Sequence, residues 1–243
     1  MKHTRQTIEE IINECRATKT PIDLSDQDLS SLELSGLDLS EANLSGADLR
    51  EASLQSANLQ SADLQDADIR DADLQWSILQ SANLQSADLQ DTNLQRSDLR
   101  GANLRGADLR GADLQWCILK RADLQRANLR DTDLQDANLL WCILQRADLR
   151  GANLRDADLH GADLRGADLD FTGYELSCQT IGIKVDKRLV SQLLYHLCRM
   201  DVHDYPEWDE LRNDVMALAN QSHVIKEHEQ PEIEPLKAQD EEK

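Results

Sequence analysis

The chain lacks most of what an ordinary globular core is built from. Aromatic residues make up 3% of its 243 positions, with Phe171 the single phenylalanine, so Leu, Ala, Ile and Val must fill the interior, which suits a narrow one. Basic residues are also scarce. Against 46 Asp and Glu there are 26 Lys and Arg, a formal charge of −20. That balance argues against sequence-independent binding to nucleic acid, which runs on Lys and Arg, and makes an acidic partner a poor expectation. No apolar run approaches the ~18 residues that a membrane span needs. The start Met1-Lys2-His3-Thr4-Arg5 leads into a polar amphipathic stretch and not a signal-peptide core, so a soluble, cytoplasmic protein is expected. Five cysteines, Cys15, Cys117, Cys142, Cys178 and Cys198, form an odd set without CxxC spacing. Neither a disulfide framework nor a zinc site is expected from them.

What the chain does have is a period of five. From Leu24 to Leu169 every fifth residue is Leu, apart from Ile69, without an insertion in thirty units. Two residues before each Leu sits a small residue, usually Ala, from Ala42 to Ala167. Ser77, Thr92, Ser97, Cys117, Thr132 and Cys142 replace it with other small groups, and only the first four units, with Ile22, Gln27, Leu32 and Leu37, admit larger ones. Between the two lies mostly Asp or Asn, so the consensus is A(D/N)LXX. On an α-helix such leucines would fall about 140° apart and spread around the whole cylinder, and on a flat strand they would alternate faces. Only a chain that bends once per unit keeps every Leu inside.

This motif resembles the pentapeptide-repeat family. The resemblance implies an all-β solenoid, a right-handed quadrilateral β-helix in which four units make one square coil, with Leu and the preceding small residue pointing inward. Thirty units over four sides then give about 7.5 coils, roughly 36 Å of stack at the ~4.8 Å spacing of neighbouring strands. Columns twenty residues apart support the coil: Gln55, Gln75, Gln95, Gln115 and Gln135, and Arg50, Arg70, Gln90, Arg110, Arg130 and Arg150.

A coil stack has two open edges, so caps are expected. In the amino-terminal segment, residues 1–21, Thr7 followed by Glu10 reads as a capping box, and Ile8, Ile11, Ile12 and Cys15 form an apolar stripe, which predicts a helix near residues 6–17. The repeat, residues 22–170, ends before Phe171-Thr172-Gly173-Tyr174. Residues 171–220 then read as a helical hairpin, with Leu189, Leu193, Leu194 and Leu197 on one stripe and Leu211, Val215 and Leu218 on another. The hairpin is either a cap or a dimerisation element, the latter suggested by family members that protect DNA gyrase and dimerise through their carboxyl ends. Residues 221–243 read as a disordered acidic tail.

With Leu and Ala inside, function must reside in the outward positions. Charge is uneven there. From Ile22 to Gln95 there are 15 acidic residues against Arg50 and Arg70, net −13, whereas from Arg96 to Asp170 there are 13 acidic against 12 basic, net −1. Resemblance to the gyrase-protecting members implies a DNA mimic in the acidic half, acting on a type II topoisomerase. The plainer reading is that the consensus itself supplies an Asp in most units. The Arg column at Arg110, Arg130 and Arg150 reads as a surface ladder interleaved with Asp108 and Asp148.

Three segments depart from the consensus: Trp76-Ser77-Ile78-Leu79, Trp116-Cys117-Ile118-Leu119 and Trp141-Cys142-Ile143-Leu144. Each places Trp at a corner and Ile where Asp or Asn is usual. With four sides, Trp76 and Trp116 share a column, and Trp116, Ile118, Leu140, Trp141 and Ile143 fall on neighbouring sides. Contiguous exposed apolar area of this kind marks a contact surface, the alternative being Trp rings folded flat over their corners or covered by the carboxyl-terminal segment. No enzyme is expected: a convex stack offers no concave site, His203 near Asp201 and Asp204 reads as turn chemistry, and Cys117 and Cys142 read as inward filler. No cofactor or metal is expected. The sequence thus predicts a non-catalytic scaffold or adaptor for a protein partner, with homodimerisation and topoisomerase mimicry as alternatives.

Overall fold

The computed structural model describes residues 3–169. One helix, α1 (Arg5–Thr18), precedes the repeat. Its N-cap is Thr4, and the capping box joins Thr4 to Thr7, not Thr7 to Glu10: the Thr4 N–H donates to Thr7 Oγ1 at 2.8 Å and the Thr7 N–H to Thr4 Oγ1 at 3.3 Å. A hydroxyl at the third helical position serves as well as the carboxylate that the sequence pattern favours. Left-handed Lys19 ends the helix at φ 56°. Ile8 and Ile12 are buried, while Ile11 and Cys15 are half-buried, so the expected stripe narrows to two residues. Arg5 donates to the Glu33 and Ser35 carbonyls and Arg16 to the Asp38 carbonyl, which ties α1 to the first coils.

From Asp23 onward the chain pairs with itself at a spacing of twenty, in parallel: Asp23 with Asn43, Asn43 with Asp63, and so on to Asp148 with Asp168. Four units therefore make one coil. Side 1 carries the column from Asp23 through Asp123 and Ile143 to Asp163, side 2 that from Asp28 to Asp168, side 3 that from Glu33 to Asn153, and side 4 that from Asp38 through Ile78, Asp98 and Ile118 to Asp158. Each unit repeats the same backbone bonds. The Leu24 N–H donates to Asn43 O at 2.8 Å, the Asn43 N–H to Ile22 O at 2.8 Å, and the Asp26 N–H to Ser45 O at 2.9 Å. A fourth closes the bend, as in Ala42 N–H to Leu39 O at 3.1 Å.

The repeated leucines are buried, and so are the small residues that precede them from Ala42 on. Burying each Leu stabilises the stack by roughly 1.5–3 kcal/mol relative to an exposed one. Where a hydroxyl replaces Ala it is satisfied by a main-chain carbonyl: Ser77 Oγ donates to Leu74 O at 2.7 Å and Thr92 Oγ1 to Ile69 O at 2.9 Å. The corner residue two after each Leu is left-handed at every fifth position from Asp26 to Gly166, with φ between 55° and 74°. Such backbone costs an L-residue of order 1 kcal/mol, and the inter-coil bond donated by that same residue's N–H offsets it. Ser, Arg and Trp therefore occupy corners where a free turn would favour Gly.

The Asp or Asn of the consensus also has a structural role. Its Oδ1 accepts the N–H two residues on, as in Asp28 to Ser30 at 3.1 Å and Asn58 to Gln60 at 3.2 Å, so the side chain holds the bend. Asn adds a rung between coils, with Asn43 Nδ2 donating to Asp23 Oδ1 at 3.1 Å and Asn83 Nδ2 to Asp63 Oδ1 at 2.9 Å. The expected hairpin over 171–220, the tail over 221–243, and His203 lie outside the described residues.

Candidate interaction surface

At the corner between sides 3 and 4, Trp76, Arg96 and Trp116 stand on successive coils. The Arg96 guanidinium lies over both indoles, 4.7 Å from the Trp76 ring centroid and 5.0 Å from that of Trp116. The two tryptophans clamp a cation from below and above, a contact worth about 0.5–1 kcal/mol per face at an exposed site. Both residues remain exposed, Trp76 to 53% and Trp116 to 43%. Sequence reasoning placed both tryptophans in one column and overlooked the arginine midway between them. The signal was present, since residue 96 lies twenty from each.

Side 4 continues the surface. Ile78 is exposed and Ile118 half-buried, with Asp98 between them on the ladder. Asp98 is held by Arg100, whose Nη2 donates to Oδ2 at 2.6 Å, and by Gln80 Nε2 at 2.8 Å. At the next corner, between sides 4 and 1, Leu140 is half-buried and Trp141 is 53% exposed. Trp141 lies flat over Gly161 of the following coil: a Cβ on Gly161 would come within 2.6 Å of the indole. His160 meets the same ring edge-on, with centroids 5.5 Å apart. Ile143 follows on side 1, half-buried between Asp123 and Asp163. The register thus brings Trp116, Ile118, Leu140, Trp141 and Ile143 onto two adjoining sides, with Trp76 and Ile78 two coils below Trp116 and Ile118. Leu189, Leu193, Leu194 and Leu197 lie outside the described residues.

Elsewhere most of the arginines are paired with carboxylates. Arg50 pairs with Asp48 of its own bend at 2.6 Å and reaches Asp68 of the next coil at 3.5 Å, and Arg70 repeats this with Asp68 and Asp88. Arg110 pairs with Asp108 and Arg150 with Asp148, whereas the bend of Arg130 carries Asn128, whose Oδ1 accepts the Arg130 main-chain N–H. The Arg50, Arg70 and Arg165 side chains donate to Asp48, Asp68 and Asp163 and hold those carboxyls below the usual aspartate range. Burial pushes the Cys142 thiol up to about 12, and that of Cys117 is raised well above the ordinary value. Both occupy the inward small position, and Cys142 Sγ donates to Leu119 O at 2.7 Å.

The pentapeptide-repeat family model matches eight copies that together run over residues 22–170. The chain belongs to the pentapeptide-repeat family. Its fold is accordingly the right-handed quadrilateral β-helix, and the twenty-residue pairing is its coil. QnrB1, described as a plasmid-mediated fluoroquinolone resistance protein, superposes with a TM-score of 0.52 at 20% identity over 75% of this chain and 98% of its own. Rfr23 from the cyanobacterium Cyanothece 51142 is 38% identical over 39% of this chain and 60% of its own, with a TM-score of 0.34. HetL, involved in heterocyst differentiation regulation in the cyanobacterium Nostoc sp. strain PCC 7120, is 28% identical over 71% of this chain and 92% of its own, with a TM-score of 0.24. No curated protein matches the chain in sequence. Among the described residues of this pentapeptide-repeat chain, no helix is long and apolar enough to cross a membrane.

Proposed function

We propose that this pentapeptide-repeat protein is a non-catalytic scaffold or adaptor that binds a protein partner through the Trp/Ile surface of sides 4 and 1. One observation carries the reading: among the described residues, the large apolar side chains classed as exposed are Trp76, Ile78, Trp116 and Trp141, and all four belong to this surface. Tryptophan is enriched at binding hot spots, and contiguous exposed apolar area is unusual on a protein that stays alone. Asp is the commonest residue at the position of Ile118, so Trp116→Ala with Ile118→Asp restores the consensus there. The double variant is expected to lose partner binding or self-association while keeping its β-type circular dichroism. Association that survives it would remove the proposal. Self-association through Leu189, Leu193, Leu194 and Leu197 is the competing route to a homodimer, and mutation of those residues separates the two.

A second reading is favoured by the charge asymmetry. The acidic run from Ile22 to Gln95 has only Arg50 and Arg70 as cations, and both are already bonded to carboxylates, so that half presents net negative charge to solvent. Such a surface could imitate DNA for a type II topoisomerase, and the fluoroquinolone resistance named for QnrB1 fits that class. A gyrase supercoiling assay is then expected to show an effect of the protein, with or without quinolone, that fades steeply with added salt. No effect at micromolar protein removes it.

A further inference from the structure

We infer that the partner segment recognised by the Trp/Ile surface is an acidic one, with carboxylates set among apolar side chains. The inference rests on the proposed docking role of that surface and specifies its occupant. Its basis is how the charges there are used. The central carboxylate, Asp98, is bonded to Arg100 and Gln80, and Asp123 beneath Ile143 is approached by Arg105 at 3.4 Å. Three further cations are not spent in this way. Arg96, Lys120 and Arg121 make no ion pair with any described residue, although all three border the apolar groups. Arg96 and Arg121 are exposed and Lys120 is half-buried.

Geometry makes Arg96 the anchor. Its guanidinium carbon lies 4.7 and 5.0 Å from the two indole centroids, between an indole below and another above, and its N–H groups make no ion pair with a described residue. A guanidinium held this way has already lost much of its rotamer freedom, so a carboxylate gains a bidentate contact at reduced entropic cost. Lys120 and Arg121 sit one coil on at the next corner, beside Leu140 and Trp141, across the side that carries Ile78 and Ile118. An extended segment crossing side 4 therefore meets cation, aliphatic groups and cation again. Asp136, one coil above Trp116, bounds the surface on that flank. The net charge of −20 makes an acidic partner a poor expectation, but at a Debye length of about 8 Å a bound segment reads its immediate neighbours and not the acidic residues several coils away.

The test uses the full chain and three fluorescein-labelled peptides of alternating sequence, Glu-Leu, Gln-Leu and Lys-Leu, with binding read by anisotropy. The Glu-Leu peptide is expected to bind most tightly, to weaken by about tenfold or more with Lys120→Glu and Arg121→Glu, and to be lost with Trp116→Ala and Ile118→Asp. If Gln-Leu or Lys-Leu binds as tightly and is lost with the Trp116/Ile118 variant, the docking surface stands and the acidic class falls. If Glu-Leu binding responds to the charge reversal but not to the Trp116/Ile118 variant, the docking reading itself falls. Binding of none of the peptides overturns the inference, as does sedimentation showing that a second copy of the chain occupies the surface.

Discussion

Leu109→Ala is expected to destabilise the stack by ~2–5 kcal/mol, read as a shift in the urea midpoint of the β-type circular dichroism. Leu109 is fully buried mid-stack, with Leu89 and Leu129 on the coils below and above. The hole cannot collapse easily, because each coil is fixed to its neighbours by three N–H···O bonds per unit, such as Leu109 N–H to Asn128 O at 2.8 Å. The reverse change at the neighbouring inward position, Ala107→Leu, overpacks the interior at a cost of ~1–3 kcal/mol. In a linear array the loss falls on one interface, so an unfolding curve of two steps, with the damaged coils melting first, is the expected form. A Leu109→Ala protein within about 0.5 kcal/mol of the parent would contradict a close-packed interior.

Acid is expected to be the second large perturbation. Asp48, Asp68 and Asp163 are bonded to Arg50, Arg70 and Arg165, and Asp23 to the Ser25 hydroxyl, and each carboxyl lies below the ordinary value of 3.8 in the folded chain. A carboxyl that binds its proton more weakly when folded stabilises the fold wherever it is ionised in both states. The contribution is therefore complete above about pH 4 and drains away as pH falls through the folded values. Melting temperature measured from neutral pH downward should stay level and then fall below about pH 4, and Arg50→Gln with Arg70→Gln should make that fall shallower. A melting temperature independent of pH down to about 2 would show that these bends do not need their charge.

Much of this architecture is legible in the chain itself, and the limits of legibility are physical. The inward Leu and Ala are marked by a period that helix and strand both fail to accommodate. The shared column of Trp76 and Trp116 follows from dividing by twenty. Arg96 was missed because an arginine at a corner carries no local mark, and its role exists only through two indoles each twenty residues away. The consensus Asp and Asn read as surplus acidity, whereas Asp28 and Asn58 hold the bends at Ser30 and Gln60 through their own Oδ1. The left-handed corners were also hidden, since Trp76, Arg96 and Ser81 are not residues that announce positive φ. At the helix start, Thr7 and Glu10 gave the right pattern three residues late, because Thr4 and Thr7 complete the same reciprocal pair with two hydroxyls.

The unbroken count of five has a corollary for how such a chain can change. Gain or loss of twenty residues lengthens or shortens the column and leaves every downstream side chain at its old compass bearing. Gain or loss of one unit turns everything beyond it by a quarter of a revolution. Trp116-Cys117-Ile118-Leu119 and Trp141-Cys142-Ile143-Leu144 lie twenty-five apart, one coil plus one such quarter turn, and so they meet around an edge instead of stacking. An ornament copied in this way wraps the prism, and a broad face for recognition can arise from a single segment by bookkeeping of the register alone.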